Sequence, residues 1–297
     1  MKFKMTMVAT VVALTATNLY AQETYNVEVL GSINTLNLDN QEKWTNTKIS
    51  GNYYLKPIKI DNAQPYGELD FLQKASSLTL SYGNQTYESE NTASGKFTPL
   101  AIAGNFYFDN FILGLSNSNR STDLTVKTNA ANYLTTKNNL NGINIGYFIT
   151  TDTAVYYKYS KDAYTFTPSA IATATKDLSY TTSSITSQTV TSMGVGQTLR
   201  VDLQYNQITR EQTLLQKNNE YGVSLRYYPE SKYYVEGGYL TNTGDWDYTK
   251  GNSLSAGIGY SLTSRFNFAL STAKFTADVT TQRTSSTSTT LTAGYRF

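Results

Sequence analysis

The sequence predicts an all-β protein: a closed, antiparallel transmembrane β-barrel of about fourteen strands, with twelve or sixteen strands as alternatives. Three observations predict this fold. Apolar and polar residues alternate with a period of two along most of the chain. Aromatic residues gather near the ends of the alternating runs, and the connectors between runs are short and long in turn.

Residues 1–21 have the pattern of a secretory signal peptide. Lys2 and Lys4 supply a positive start, an apolar stretch follows at 5–14, and Ala21 is the small residue expected at a cleavage site. The apolar stretch is well short of the roughly 20 residues that a membrane-spanning helix needs. We therefore expect export and cleavage after Ala21, which leaves residues 22–297 as one barrel domain.

The alternation is clearest late in the chain, where Leu199, Val201, Leu203 and Tyr205 interleave with polar residues. Successive side chains of a strand point to opposite faces, so each such run has one apolar face and one polar or small face. The predicted strands lie near 24–38, 44–56, 67–83, 97–109, 111–120, 139–149, 153–165, 186–196, 199–209, 217–228, 232–242, 252–262, 265–276 and 286–297.

The connectors predict the orientation of the barrel. Tight periplasmic turns (109–110, 150–152, 196–198, 229–231 and 263–264) contrast with longer, polar extracellular loops (84–96, 121–138, 167–185, 210–216, 243–251 and 277–285). The loops 121–138 and 167–185 are the longest. One hypothesis is that either of them folds inward as a constriction.

The third run is irregular. Leu69 and Phe71 are apolar at odd positions, whereas Leu78 and Leu80 are apolar at even ones. Either a β-bulge between 72 and 77 shifts the phase, or the strand begins late and residues 56–74 lie along the periplasmic rim. The sequence leaves both interpretations open.

Two further features favour a membrane barrel over a soluble secreted sandwich or β-solenoid. The polar face carries many charges, which a water-filled lumen would keep solvated. Aromatic side chains of the apolar face would form two girdles at the headgroup levels. The predicted girdles are Phe108, Phe111, Tyr147, Tyr227, Tyr233, Phe266, Tyr295 and Phe297 at the short-turn end, and Tyr82, Tyr159, Tyr205, Tyr221, Tyr239 and Phe275 at the other.

Strand parity predicts which charged residues line the lumen: Lys48, Lys158, Arg200, Asp202, Glu220, Arg226 and Glu236. With Lys56, Arg265, Arg296 and Glu28 added, seven positive groups face four negative ones. This excess predicts a weak anion preference for a pore. Pairing between neighbouring strands would instead make these charges structural, and the sequence does not decide between the two readings.

Composition excludes several classes of function. The chain of 297 residues has 24 Lys and Arg against 22 Asp and Glu, and removing Lys2 and Lys4 leaves 22 against 22, which argues against a nucleic-acid partner. Cys and His are both absent, which excludes disulfides, thiolate chemistry and imidazole catalysis. Asp245 and Asp247 lie close together but in a polar loop. We predict no enzyme activity, no cofactor and no metal.

The C-terminal segment 290–297 resembles the closing strand of outer-membrane β-barrel proteins, with Tyr295 two residues before the terminal Phe297. In that class the segment is an assembly signal read by the barrel-assembly machinery. More narrowly, residues 53–58 (YYLKPI), 65–83 and 106–116 (FYFDNFILGLS) resemble the "putative general bacterial porin" family. This resemblance implies residence in the cell outer membrane, contact with its lipid, and passive diffusion of small hydrophilic solutes.

A competing hypothesis of a different class is a non-conducting barrel whose surface loops bind a partner, as in adhesins and phage receptors. The Ser-, Thr- and Asn-rich loops are compatible with it. Single-channel conductance would distinguish the two hypotheses. The sequence predicts neither the oligomeric state nor the natural solute.

Overall fold

In the computed structural model the chain forms one closed barrel of fourteen strands. The structure describes residues 24–38, 42–89, 93–126, 133–168, 176–211, 216–244, 250–279 and 282–297. The strands are Thr24–Leu38 (β1), Glu42–Lys59 (β2), Ser77–Ser89 (β3), Ala93–Phe108 (β4), Phe111–Val126 (β5), Tyr133–Phe148 (β6), Thr153–Pro168 (β7), Lys176–Gly194 (β8), Gln197–Glu211 (β9), Gln216–Glu230 (β10), Tyr233–Gly244 (β11), Gly251–Ser261 (β12), Phe266–Val279 (β13) and Gln282–Arg296 (β14).

The predicted closed antiparallel barrel is confirmed. Each strand pairs antiparallel with its neighbours in sequence, and β1 pairs with β14 in a register that places Val29 opposite Tyr295 and Ile33 opposite Leu291. The last residue completes the seam, since the Phe297 amide donates to the carbonyl of Val27 at 2.8 Å. A closed ring pairs every strand on both sides, which is what a bilayer requires of a β-structure.

The apolar face of the strands is the outer surface. Leu203 and Ile258 expose 52% and 58% of their surface, and Val223 is also exposed. These residues would be buried in a soluble sandwich, so the outward position of the apolar face supports its contact with lipid. Among the described residues, no helix is long and apolar enough to span a membrane.

Most of the predicted girdle residues lie on this outer face. Phe108 and Phe111 are exposed and stand opposite each other across a two-residue turn, where Asp109 adopts a φ of 52°. Phe275 is an error of the prediction. It pairs with Ser253 and Ser286 on the inner face, because the outward positions of β13 are the even-numbered ones, such as Leu270.

The strands are longer than predicted on the extracellular side. Ser121 pairs with Lys137, and Lys161 pairs with Thr181, so the described parts of the two longest predicted loops continue the barrel wall as hairpins. The hypothesis that these loops fold inward is therefore wrong for residues 121–126, 133–138, 167–168 and 176–185. Residues 127–132 and 169–175, like the predicted signal peptide 1–21, lie outside the described residues.

The phase slip in the third run has a clear structural origin. β3 begins only at Ser77, so the late-start interpretation is confirmed and the β-bulge is not needed. Residues 60–76 form a long connector at the same end as the short turns, with a 3-10 turn at Tyr66–Glu68 and a one-turn helix, α1, at Leu69–Leu72. The connector does not follow the rim. It folds into the barrel, where Leu69 is fully buried.

Candidate functional site

The connector 60–76, called the plug below, occupies the periplasmic mouth of the barrel. One of its apolar contacts is with β1 and β2, next to the β1–β14 seam. Tyr66 and Leu69 form one buried cluster with Tyr54 and Ile58 of β2 and Tyr25 of β1. Apolar burial of this kind contributes roughly 1.5–3 kcal/mol for each large side chain. The plug is therefore packed against the wall as part of the fold.

Tyr25 reaches this cluster through an irregularity in β1. The register between β1 and β2 shifts between Tyr25 and Val27. Strict alternation from Val27 would turn Tyr25 outward, whereas the shifted backbone turns it into the lumen, where it is buried. Its ring stands edge-on to Tyr54, with centroids 5.6 Å apart.

A second apolar cluster joins the plug to the opposite part of the wall. Phe71 of α1 packs with inward side chains of four consecutive strands, β5 to β8, and its ring centroid lies 5.2 Å from that of Phe148. The wall residues of this cluster are Ile112, Phe148, Ala154, Tyr156 and Val190. Large apolar side chains at inward positions are unusual for a wet lumen and mark where the plug is seated.

Charge fixes the plug to two further strands. The Glu68 carboxylate, with 1% of its side chain exposed, accepts from Arg200 of β9 at 2.8 Å and from Arg226 of β10 at 3.2 Å. The Tyr228 hydroxyl donates to the same carboxylate at 2.6 Å. Because a buried carboxylate is stable in its charged form only when paired, Glu68 ties the plug to this side of the barrel.

The two arginines are shared with carboxylates of the wall. Arg200 also binds Asp202 at 2.8 Å, and Arg226 binds Glu236 of β11 at 2.7 Å. Together with Glu68 these residues form one continuous ion network, the Glu68 network. The inward charges at these positions are therefore paired, which is the structural alternative that the sequence left open.

Polar contacts complete the attachment. The Lys74 ammonium donates to the side-chain oxygen of Asn110 in the β4–β5 turn at 2.8 Å. The backbone amide of Tyr66 donates to the carbonyl of Ser231 in the β10–β11 turn at 3.0 Å. Gly67 permits close approach here, because a Cβ at this position would stand 2.7 Å from the Tyr228 hydroxyl.

The inner faces of β12, β13 and β14, called the small-residue wall below, remain open. No hydrogen bond or salt bridge within the described part of the chain joins the plug to these three strands. Their inward side chains are mostly Ser, Thr, Ala and Gly: Ser253, Ser255, Gly257, Gly259, Ser261, Ala269, Ser271, Ala273, Ser288, Thr290, Thr292 and Gly294.

Two cavities follow the small-residue wall. The upper one, of about 300 Å³, is lined by Ser255, Ser271 and Thr290 together with Glu236. The lower one, of about 310 Å³, lies beside the plug and is lined by Tyr25, Tyr54, Asp70, Lys232 and Arg296, among others. Both cavities therefore extend along β12, β13 and β14.

A second ion pair borders the lower cavity. Glu28 of β1 and Arg296 of β14 are joined at 2.9 Å across the barrel seam, and both are buried. The Tyr54 hydroxyl donates to Glu28 at 3.2 Å, and the Arg296 guanidinium lies 5.1 Å from the centre of the Tyr25 ring. These contacts fix both charges in the wall.

The structure places the predicted lumen residues in three environments. Arg200, Asp202, Arg226 and Glu236 belong to the Glu68 network. Lys48 and Lys158 are solvent-exposed on the inward-parity positions of β2 and β7. Glu220 accepts a hydrogen bond from Asn206 of the neighbouring strand at 3.0 Å.

Sequence reasoning missed Glu68 and Asp70, because both lie in the segment interpreted as rim or strand. The available signal was the loss of the two-residue period around Leu69 and Leu72, which are spaced by three as in a helical turn. Within the described residues, no group of three or more His, Cys, Asp or Glu could hold a metal ion. Asp245 and Asp247 lie outside those residues.

Comparisons with known structures find the same architecture. Omp33, an outer membrane protein of Acinetobacter baumannii, is 13% identical, with a TM-score of 0.58 over 93% of this chain and 100% of that one. CymD, a monoaromatic hydrocarbon channel, is 11% identical, with a TM-score of 0.59 over 93% and 89%. The toluene transporter TbuX of Ralstonia pickettii is 10% identical, with a TM-score of 0.55 over 93% and 90%. At such identities the likeness concerns the fold alone.

No protein with curated annotation matches the chain. The family model described as "Putative general bacterial porin" matches residues 1–295, which is nearly the whole sequence. That match agrees with the closed barrel and its apolar outer face. The chain therefore belongs to the "Putative general bacterial porin" family and is a β-barrel of the bacterial outer membrane.

Proposed function

We propose that this porin is a channel for passive diffusion of small hydrophilic solutes, and that solutes pass between the plug and the small-residue wall. The observation that carries the proposal is the pair of cavities along β12–β14, three strands to which no hydrogen bond or salt bridge of the described residues ties the plug. The lining of the upper cavity is largely hydroxyl-bearing, which suits solutes that keep part of their hydration.

The plug makes the channel narrow. A barrel of fourteen strands would hold a wide aqueous lumen if its interior were empty. Here the plug contacts β1, β2 and β4 to β10 and leaves the side of β12 to β14 open. We therefore expect discrete single-channel steps of small conductance from the purified full-length protein in a planar bilayer.

The same measurement decides against the competing function. A correctly folded, heat-modifiable barrel that gives no conductance and no solute flux into liposomes would support a barrel whose surface loops bind a partner. A protein that stays in buffer without detergent would contradict the membrane assignment itself.

For ion selectivity we propose only a weak preference for anions. The count of inward charges favours anions, but the plug adds the carboxylates of Glu68 and Asp70, and the arginines of the Glu68 network are paired. The cations without a salt bridge among the described residues include Lys48 and Lys158. Reversal potentials in a salt gradient test this, and clear cation preference would contradict it.

We propose that Tyr295 and Phe297 are read as the assembly signal. Both are on the lipid-facing side of β14, and their rings lie 4.9 Å apart. Replacing Phe297 by Ala keeps the backbone bonds of the seam and should lower the outer-membrane yield more than replacing Arg200 by Gln. Equal yields would contradict the role of the C-terminal ring.

We further propose that residues 1–21 are a signal peptide removed on export. The mature protein would then begin at Gln22. Intact-mass measurement of the protein isolated from outer membranes tests the cleavage position. A retained N-terminus would contradict it.

A further inference from the structure

The lower cavity holds charges of both signs in different states of pairing. Three charged residues of its lining form salt bridges with residues of the barrel wall. Glu28 and Arg296 pair with each other, and Arg226 pairs with Glu236. Paired charges in the wall are held by their partners and offer little to a passing solute. The charges that matter for recognition are those that remain.

Asp70 and Lys232 are such charges. Both line the lower cavity and are exposed to solvent, and neither forms a salt bridge within the described residues. Asp70 belongs to α1 of the plug, whereas Lys232 belongs to the β10–β11 turn of the wall. Two different elements thus contribute to one cavity a carboxylate and an ammonium that have no salt bridge among the described residues.

Aromatic residues form much of the remaining lining, beside polar ones such as Ser261, Asn267 and Thr292. The rings of Tyr25, Tyr54, Tyr228 and Tyr234 surround the cavity. Two of their hydroxyls donate hydrogen bonds within the protein, from Tyr54 to Glu28 and from Tyr228 to Glu68. The rings therefore contribute low-polarity walls, which exclude part of the water and strengthen the attraction between a solute and the two free charges.

We propose that this cavity selects small zwitterionic solutes of the α-amino-acid class, with the solute ammonium directed to Asp70 and its carboxylate to Lys232. The inference rests on the channel function proposed above and adds the class of solute. An anion would be attracted by Lys232 but repelled by Asp70, and a cation would be attracted by Asp70 but repelled by Lys232. A zwitterion gains both contacts. The cavity volume of about 310 Å³ is enough for a single amino acid or a short peptide.

The test compares fluxes of matched solutes into liposomes that contain the full-length protein. The probes are alanine, its anionic analogue N-acetylalanine, its cationic analogue alaninamide and the neutral lactamide. Alanine should enter fastest. Asp70→Asn and Lys232→Gln should each reduce the ratio of alanine to lactamide flux by about threefold to fivefold, the upper part of the range expected when a partly solvated ion pair is lost.

Two matched variants control for charge alone. Asp109→Asn changes a carboxylate in the β4–β5 turn at the same end of the barrel, and Lys274→Gln changes an exposed lysine on the outward-parity face of β13. Neither lines the cavity. Both should leave the flux ratio unchanged.

The outcomes separate the two proposals. If wild-type protein carries lactamide and salt current but shows no preference for alanine, or if Asp70→Asn and Lys232→Gln leave the preference intact, the selectivity inference is overturned and the channel function stands. If no solute and no ion passes, the channel function fails. A preference that only the two control variants remove would also overturn the inference.

Discussion

The two sides of the lumen are built in opposite ways. The inner faces of β5 to β10 carry large side chains, such as Phe148, Tyr156 and Arg226, and every one of these strands contributes a residue that holds the plug. The inner faces of β12 to β14 carry mostly Ser, Thr, Ala and Gly, and the upper and lower cavities lie against them. The barrel is closed and regular, but its interior is filled on one side only.

Strand number alone therefore does not set the width of the pore. Fourteen strands fix the backbone circumference, whereas inward side chains and the plug fix what remains open. Gly259 shows the principle locally. A Cβ there would stand 2.1 Å from the Tyr234 ring, so the glycine lets this ring pack directly against the wall beside the cavity.

Removing the plug should change the single-channel conductance more than any other variant considered below. Replacing residues 61–75 by a short Gly-Ser turn leaves β2 and β3 paired, as Tyr54 already stands opposite Ser77. We expect single-channel conductance to rise several-fold, because the filled side of the lumen becomes water. Unchanged conductance in a folded barrel would show that the plug is not the constriction.

Filling the small-residue wall should have the next largest effect. Ser271→Tyr places a ring in the upper cavity and should reduce the single-channel conductance by about half or more. The matched variant Ser160→Tyr lies on the inward face of β7, on the side that the plug already fills. It should reduce conductance less. Equal reductions would contradict a one-sided passage.

Weakening the Glu68 network should have an intermediate effect. Glu68→Gln keeps the size of the side chain but leaves Arg200 and Arg226 without their shared carboxylate. Removing one partner of a buried pair costs about 3–5 kcal/mol, less here because both guanidiniums are partly solvated. We expect plug mobility, visible as larger and noisier current levels. Glu236 pairs with Arg226 alone, so Glu236→Gln should change the current levels much less.

Acid should weaken the selectivity of the lower cavity without closing the channel. Asp70 borders the water of the cavity, but the surrounding protein limits the hydration of its carboxyl group, and Glu28 and Glu68 repel its charge. Its pKa is therefore raised to about 6, although Arg296 acts in the opposite direction. The carboxylate, and with it the preference for alanine, should be present above this pH and lost as the pH falls through it.

The charges of alanine itself do not change over that range, so the loss would report the protein. The Asp70→Asn variant should show a low preference that is flat across the same pH range. A wild-type preference that is equal at pH 5 and pH 7 would contradict the role of Asp70.

The barrel wall was predictable because the alternation of apolar and polar residues depends only on neighbouring positions in a strand. Leu203, Val223 and Ile258 face outward as the alternation indicated, and the fourteen strands were all located. Local parity failed for Tyr25, which lies beyond the irregularity of β1. At Phe275 parity held, and the assignment to the outer girdle was wrong because odd-numbered residues of β13 face inward. Loop lengths were overestimated because the strands continue above the membrane as polar hairpins. The composition of these hairpins does not distinguish them from loops.

The closed barrel, its two faces and its family follow from the sequence alone, since the alternation between lipid-facing and water-facing positions is set by neighbouring residues. The contents of the lumen follow only from the folded chain. Glu68 meets Arg200 and Arg226 from 132 and 158 positions away in the chain. No periodicity encodes such a contact, because it depends on how a short segment packs once the ring has closed around it.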